Sequence, residues 1–336
     1  MTFEIPVWFE IASMAVLTAI LIADLLLIVK RPHIPKMGEA SAWVGFYVAL
    51  ALVFAVFLFW ASEGNKADAA GQFVAGWLTE YSLSIDNLFV FVLLMAQFSV
   101  PRRYQQRVLM VGIIIALVLR GLFILLGAAL IANFSWIFYI FGFFLVFTAW
   151  RQAFPGNEDH DAQRETGIVR FLRRFVDISD AYDGAKLRTV VDGKRMLTPM
   201  VLVFVAIGFT DLVFAIDSIP AIFGITPNPF IVFAANVFAL MGLRQLYFLL
   251  GGLLDRLRYL HYGIAFILAF IGVKLFLHAL HVNELPFING GHHVQWAPEI
   301  STWVSLGVII AAMAVATIAS LAASRREQRA EPPVVS

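Results

Sequence analysis

Thr79-Glu80-Tyr81-Ser82-Leu83-Ser84-Ile85-Asp86-Asn87 and Thr210-Asp211-Leu212-Val213-Phe214-Ala215-Ile216-Asp217-Ser218 are two versions of one phrase, 131 residues apart. In each, a threonine precedes an acid, and four residues later comes Ile-Asp and a small polar residue. Both lie inside apolar runs longer than the roughly 18 residues that cross a bilayer as a helix. The match continues downstream: Arg120 stands seven residues before Gly127, and Arg244 seven before Gly251. The next segments end near Arg151 in the first copy and carry Lys274 in the second. Each copy therefore holds three spans. Three is odd, so the second copy must enter the membrane from the opposite side. Inverted three-helix repeats place a polar site near the bilayer midplane, where the copies meet.

Composition agrees with a membrane chain. Of 336 residues, 61% are hydrophobic and 14% charged, with 32 phenylalanines and 8 tryptophans, whereas an ordinary soluble domain carries about 25% charge. Mean hydropathy is +0.84. These values exclude a soluble enzyme and a secreted disulfide scaffold. The formal net charge of +1 gives no footprint for nucleic acid. Cysteine is absent, which removes thiol redox chemistry and thiolate metal sites. No G-x-x-x-x-G-K-[ST] phosphate loop is present.

The fold class read from the apolar runs is all-α and polytopic, with nine spans at about 7–29, 41–61, 72–98, 106–131, 134–150, 198–224, 229–251, 259–280 and 300–323. The first run is long, carries Asp24 and ends at Lys30-Arg31, which reads as an uncleaved first helix. Twenty of the 24 Lys and Arg fall on alternate connections and at the C-terminal end, while the opposite connections hold only Lys66. The positive-inside bias then predicts an outer N-terminus and a cytoplasmic C-terminus. The organisation that follows is two N-terminal spans (1–71), a first three-helix unit (72–150), a cytoplasmic loop (151–197), a second inverted unit (198–280), an outer loop with the last span (281–324), and a tail (325–336) expected to lack fixed structure. In the loop, Ile168, Phe171, Leu172, Phe175 and Val176 recur at helical spacing among Arg170, Arg173 and Arg174, as in a helix lying on the membrane surface. Asp192-Gly193, between Lys186–Val191 and Lys194–Leu197, predicts a two-residue hairpin turn.

Carboxylates inside a bilayer cost at least about 2.5–3.5 kcal/mol each on insertion scales. This chain places Glu80, Asp86, Asp211, Asp217 and Asp24 in its spans, against Arg120 and Arg244. The two arginines cannot neutralise five acids, so negative charge remains for a metal ion or protons. With Asp86 level with Asp217, the acids would form a ladder of Glu80, then Asp86 with Asp217, then Asp211. Residues six apart on a regular helix point about 120° away from each other, so Glu80, Ser84 and Asn87 share a face that Asp86 leaves, unless the helix unwinds. Pro220 favours unwinding in the second phrase, because it frees the Ile216 carbonyl. The donors are all oxygen, from the acids, Asn87, Ser82, Ser84 and Ser218, and such sets suit Mg²⁺, Ca²⁺ or Mn²⁺. Each arginine is expected beside an acid of the two phrases, as a displaceable gate or a static clamp. Asn236 and Asp24 read either as support for the site or as helix packing. Lys274 would snorkel or pair with an acid. His278, His281, His292 and His293, near the outer loop, read as an outer metal-capture site or as plain interfacial histidines.

These phrases, with Asn236-Val237-Phe238-Ala239-Leu240-Met241-Gly242-Leu243-Arg244 and Phe287-Ile288-Asn289-Gly290-Gly291, resemble the TerC family of bacterial integral membrane proteins, and in particular its Alx-like branch. The resemblance spans nearly the whole chain. It implies kinship with LysE-type exporters, a place in the bacterial inner membrane, and a link to tellurite resistance. Members have been called redox modulators and are read as Mn²⁺ exporters. Glu80, Asp86, Asn87, Asp211, Asp217 and Ser218 would carry that activity as metal ligands, supported by Ser84, Arg120, Asn236, Arg244 and Asp24. Many relatives show Glu two residues before Thr-Asp, where this chain has Gly208. The expectation is a non-enzymatic secondary transporter exporting Mn²⁺ as substrate, with no resident cofactor, by proton antiport. The alternatives are export of an amino acid or another organic cation, or a non-transport stress modulator or scaffold acting through the 151–197 loop.

Overall fold

Almost every long segment of this chain is apolar all the way round, and such sequence is stable as helix only in lipid or deep inside a helical bundle. The computed structural model describes residues 3–30, 37–154, 178–179, 182–184, 186–191, 194–250, 259–286, 288–294 and 296–330. Among these, the helices are α1 (Val7–Lys30), α2 (Met37–Ala61), α3 (Lys66–Gln97), α4 (Arg102–Asn133), α5 (Ile137–Ala153), α6 (Pro199–Phe223), α7 (Pro229–Met241), α8 (Leu243–Leu250), α9 (Leu260–His281) and α10 (Thr302–Ala330). Their starts follow local chemistry. The Asn65 side chain caps α3 by accepting from the Asp68 amide at 3.3 Å. Asn228 caps α7 by accepting from the Phe230 and Ile231 amides at 3.0 and 3.2 Å, with Pro229 at the first helical position.

Seven of these helices are long and apolar enough to cross a membrane. The nine-span expectation changes at two of its members. The fifth, α5, has only 17 residues. The seventh, expected as one run over 229–251, divides at Gly242 into α7 and α8. Gly242 sits against the Tyr81 ring, which a Cβ would meet at 3.5 Å, and glycine is a poor helix former. By contrast α6 continues through Pro220 to Phe223, so the expected unwinding there gives way to the break at Gly242. The tail also differs, since α10 runs on to Ala330; Arg325-Arg326-Glu327-Gln328 are good helix formers.

The connections collect on two faces. On one, Phe3–Glu4 pairs antiparallel with Glu63–Gly64, Ser135 donates to Glu284 at 2.7 Å, and buried Asn283 ties down the 282–294 segment. Its amide donates to the Ile288 and His292 carbonyls, and its carbonyl oxygen accepts from Tyr139 and the Leu285 amide. On the other face, Tyr182 donates to the Phe98 carbonyl at 2.7 Å beside an antiparallel hairpin of Arg188–Val191 with Lys194–Leu197. The hairpin has the predicted two-residue connection. Its turn residues and the expected surface helix at 168–176 lie outside the described residues.

Packing centres on α3 and α6. Helix α3 packs on α7 and α6 packs on α4, while α3 meets α6 and α5 meets α9. Where α5 and α9 cross, a Cβ on Gly142 would lie 2.9 Å from the Gly272 carbonyl and 2.8 Å from Phe276. A Cβ on Gly272 would lie 2.9 Å from the Gly142 carbonyl and 2.8 Å from Val146. The contacts are reciprocal, each glycine meeting the other and the residue four further on. Phe138 against His278 and Tyr139 against Phe276 show that the pair runs antiparallel. Association in lipid relies on close packing of this kind, because lipid tails are as apolar as the helices.

A buried ion cluster around Arg120

Helix α4 brings the Arg120 side chain between α3, α6 and α7, and its guanidinium gathers one residue from each. Nη1 pairs with the Glu80 carboxylate and donates to Asn236 Oδ1 at 3.0 Å. Nη2 and Nε donate to Asp211 Oδ1 and Oδ2 at 3.2 and 3.5 Å, a two-pronged fit to a carboxylate. Exposures of 1% for Arg120, 0% for Glu80, 2% for Asp211 and 1% for Asn236 remove the cluster from solvent. Asn236 is itself fixed, its amide donating to the Val232 carbonyl at 3.2 Å. Two carboxylates around one guanidinium give the cluster a formal charge of −1.

Glu80 and Asp211 are the matching acids of the two phrases, and they meet at one cation. Their backbones still stand at opposite ends of the run of acids, as expected from sequence, and the long Arg120 side chain bridges them. The helices run antiparallel: Gly76 of α3 faces Ile222 of α6, and near the other end Phe91 and Ile207 share a core cluster. That register sets Glu80 level with Ser218, and Asn87 level with Asp211. The Asp86 backbone is then about five residues, roughly 7.5 Å of rise, out of level with Asp217, whereas the expectation had put the two abreast.

Helices α3 and α6 also carry buried polar atoms with no hydrogen-bond partner: the second Glu80 oxygen, the Thr79, Ser84 and Ser218 hydroxyls, and the Asn87 amide nitrogen. Buried orphans of this kind each cost about 1–3 kcal/mol unless something binds them. Because α3 is unbroken, Glu80, Ser84 and Asn87 do share a face. The Ser82 hydroxyl donates its proton to the Leu78 carbonyl at 2.6 Å. Asp217 is half-buried on α6, and Asp24 is half-buried on α1, which packs against α7. The side chains of Asp86 and Arg244 lie outside the described residues. Gly208 faces α4, where a Cβ would meet Ile115 at 3.2 Å.

His281 pairs with Glu299 at 3.2 Å, His293 bonds the His281 carbonyl, and His278 packs on Phe138. Among the described residues, no group of three or more His, Cys, Asp or Glu is placed to hold a metal. Sequence reasoning missed Thr79 and Gln245. Thr79 opens the first phrase, which was a usable signal; Gln245 is 1% exposed with both amide atoms unpartnered, and nothing in its spacing singled it out.

The family model for integral membrane proteins of the TerC family matches residues 65–328. The chain belongs to the TerC family. An uncharacterized membrane protein of Mycobacterium tuberculosis is 49% identical over 319 residues, covering 92% of this chain and 79% of that one. One from Myxococcus xanthus is 37% identical over 311 residues, covering 93% and 91%. The Escherichia coli protein named "Putative membrane-bound redox modulator Alx" is 43% identical over 270 residues, covering 78% and 84%. No solved structure matches the chain. This TerC protein is thus an all-helical, multi-pass membrane protein, and the Arg120 cluster lies within the matched region.

Proposed function

We propose that this TerC protein is a secondary transporter that exports a hard divalent cation, Mn²⁺ foremost, with Glu80 and Asp211 as the carboxylates that receive it. The observation that carries the reading is the Arg120 cluster. A guanidinium holds two acids from separate helices, one negative charge is left over, and buried hydroxyls on the same two helices have no partners. Buried charge of this kind in a membrane marks an ion path. The candidate ligand atoms are carboxylate, hydroxyl and side-chain carbonyl oxygens, which suit Mn²⁺, Mg²⁺ or Ca²⁺ rather than a thiophilic metal. Arg120 acts as a tethered stand-in for the cargo: when the ion takes its place between the carboxylates, the guanidinium withdraws. A proton can balance the same leftover charge, which makes exchange of metal for protons workable.

Inverted symmetry supports the reading. Exchanging α3 with α6, α4 with α7 and α5 with α9 turns the α3–α7 contact into the α6–α4 contact and leaves the α3–α6 and α5–α9 contacts as they were. The reciprocal Gly142–Gly272 crossing obeys the same exchange. In this reading the two units are an inverted repeat, and inverted repeats give a carrier two related conformations open to opposite sides. The basic connections then mark the cytoplasmic face.

The deciding measurement is Mn²⁺ flux in sealed proteoliposomes holding the purified chain, with and without a pH gradient. Flux that follows the gradient and disappears in Asp211→Asn supports the proposal. Flux absent from the wild-type chain, or unchanged in Asp211→Asn, refutes it.

A further inference from the structure

A cavity of about 440 Å³ opens where the start of α3, the α6–α7 turn, the end of α9 and the segment leading into α10 meet. Asp68, Lys274, His278 and Glu299 line it, with Phe223 on its apolar wall. Phe223 is five residues beyond Ser218 on α6, about 7.5 Å of rise. The cavity therefore stands a turn and a half above the unpartnered Ser218 hydroxyl. Phe223 itself is buried, with its ring against Gly127 of α4. The cavity's charges are held in place. The Asp68 carboxylate accepts from Gln72 at 3.0 Å, and Lys274 Nζ donates to Ser305 of α10 at 3.1 Å. At about 30 Å³ per water the space holds roughly fifteen waters. That is ample for a divalent ion with a first shell of about six oxygens.

We infer that this cavity is a hydrated vestibule for the cation, with Asp68 holding the ion and Lys274 limiting its occupancy by competing for that carboxylate. The inference rests on the transport reading, since it places the vestibule at the end of the path. A hydrated divalent ion and a lysine ammonium cannot both sit against one carboxylate without mutual repulsion. The rival role for Lys274 is a fixed tie between α9 and α10 through Ser305, which would leave ion occupancy alone.

The chain has no cysteine, so a single introduced thiol reports without further engineering. Ile300→Cys lines the cavity, whereas Trp296→Cys, at a residue 76% exposed, lies outside its lining. The full-length variants are treated in proteoliposomes with a membrane-impermeant thiol reagent, with and without Mn²⁺, and Ser301→Cys serves if Ile300→Cys does not fold. The cavity thiol should react, and Mn²⁺ should slow that reaction at least about threefold while Trp296→Cys is unaffected. Asp68→Asn should abolish the slowing. Lys274→Gln should lower the Mn²⁺ needed by about threefold, the size expected of a half-exposed charge pair, and Lys274→Arg should not. An unreactive cavity thiol, or slowing that survives Asp68→Asn, overturns the vestibule. Lys274→Gln that leaves the Mn²⁺ requirement unchanged overturns the competition. Protection without Mn²⁺ flux would instead remove the transport reading and keep a cation site; flux without protection would do the reverse.

Discussion

Arg120→Leu separates a displaceable guanidinium from a structural clamp. The substitution leaves Glu80 and Asp211 buried with no charge between them. Removing one partner of a buried pair costs about 3–5 kcal/mol, so the purified variant should melt well below the wild type in detergent. If the guanidinium stands in for a metal ion, Mn²⁺ should fit the vacated space and restore the loss. At a hundred times its Kd a ligand adds about 2.7 kcal/mol, which is most of the deficit. The wild type, with the guanidinium in place, should gain much less from the same Mn²⁺. A second arm checks the charge logic: adding Asp211→Asn to Arg120→Leu should recover stability without metal and abolish the Mn²⁺ response. The assay is thermal unfolding across a Mn²⁺ series, with Mg²⁺ and Ca²⁺ alongside. The reasoning fails if Arg120→Leu costs nothing, or if its loss is indifferent to every divalent ion tested.

Ser218→Ala removes a hydroxyl with no partner, so melting temperature should hold or rise slightly while Mn²⁺ flux falls; a stability loss above about 1 kcal/mol would show that the hydroxyl is bonded within the fold. Gly142→Ala drives a methyl against the Gly272 carbonyl at 2.9 Å and should cost about 1–3 kcal/mol, read as lower melting temperature, and an unchanged value would refute the tight crossing. Asn283→Ala strips the Ile288 carbonyl of its side-chain partner and the His292 carbonyl of one of two, so protease should cut beside Asn283 sooner at unchanged melting of the helices. Hydrogen bonds from Lys186 and then Thr189 hold the Asp183 carboxyl below the usual carboxylate range. A lowered pKa means the ionised form is the bonded one. Protection of the Thr189 amide from exchange should therefore be full above about pH 4 and fade as pH falls through the lowered value. Asp183→Asn should flatten that profile, and a pH-dependent variant would count against the assignment.

Much of the architecture was open to reading because hydropathy and charge act over whole segments. The helices, the alternating connections and the hairpin around Asp192-Gly193 all came from composition and spacing. The break at Gly242 did not, because the run Asn236–Leu250 is uniformly apolar apart from its three polar residues. The break falls at Gly242, the one glycine in the run, beside the Tyr81 ring. The site divides the same way. The pairing of acids with arginine could be foreseen from cost alone, since a buried arginine needs a buried carboxylate. That Arg120 takes both Glu80 and Asp211 could not, because it depends on the register of α3 against α6, and register in helices with little polar patterning is set by small-residue contacts such as Gly76 on Ile222. Asn236 gained its role the same way, by facing α4 across α7.

The brevity of α5 has a consequence for the lipid around it. Seventeen residues rise only about 26 Å, against a hydrocarbon thickness of about 30 Å. The antiparallel contact of α5 with α9 at Gly142 and Gly272 restrains any sliding. If α5 spans, a bilayer that meets the mismatch by thinning beside this pair does so at a cost of fractions of a kcal/mol per Å. Acyl chain length thereby becomes a control on the protein. Short-chain lipids relieve the deformation, and long-chain lipids deepen it on one flank of the molecule while leaving the longer α4 flank untouched.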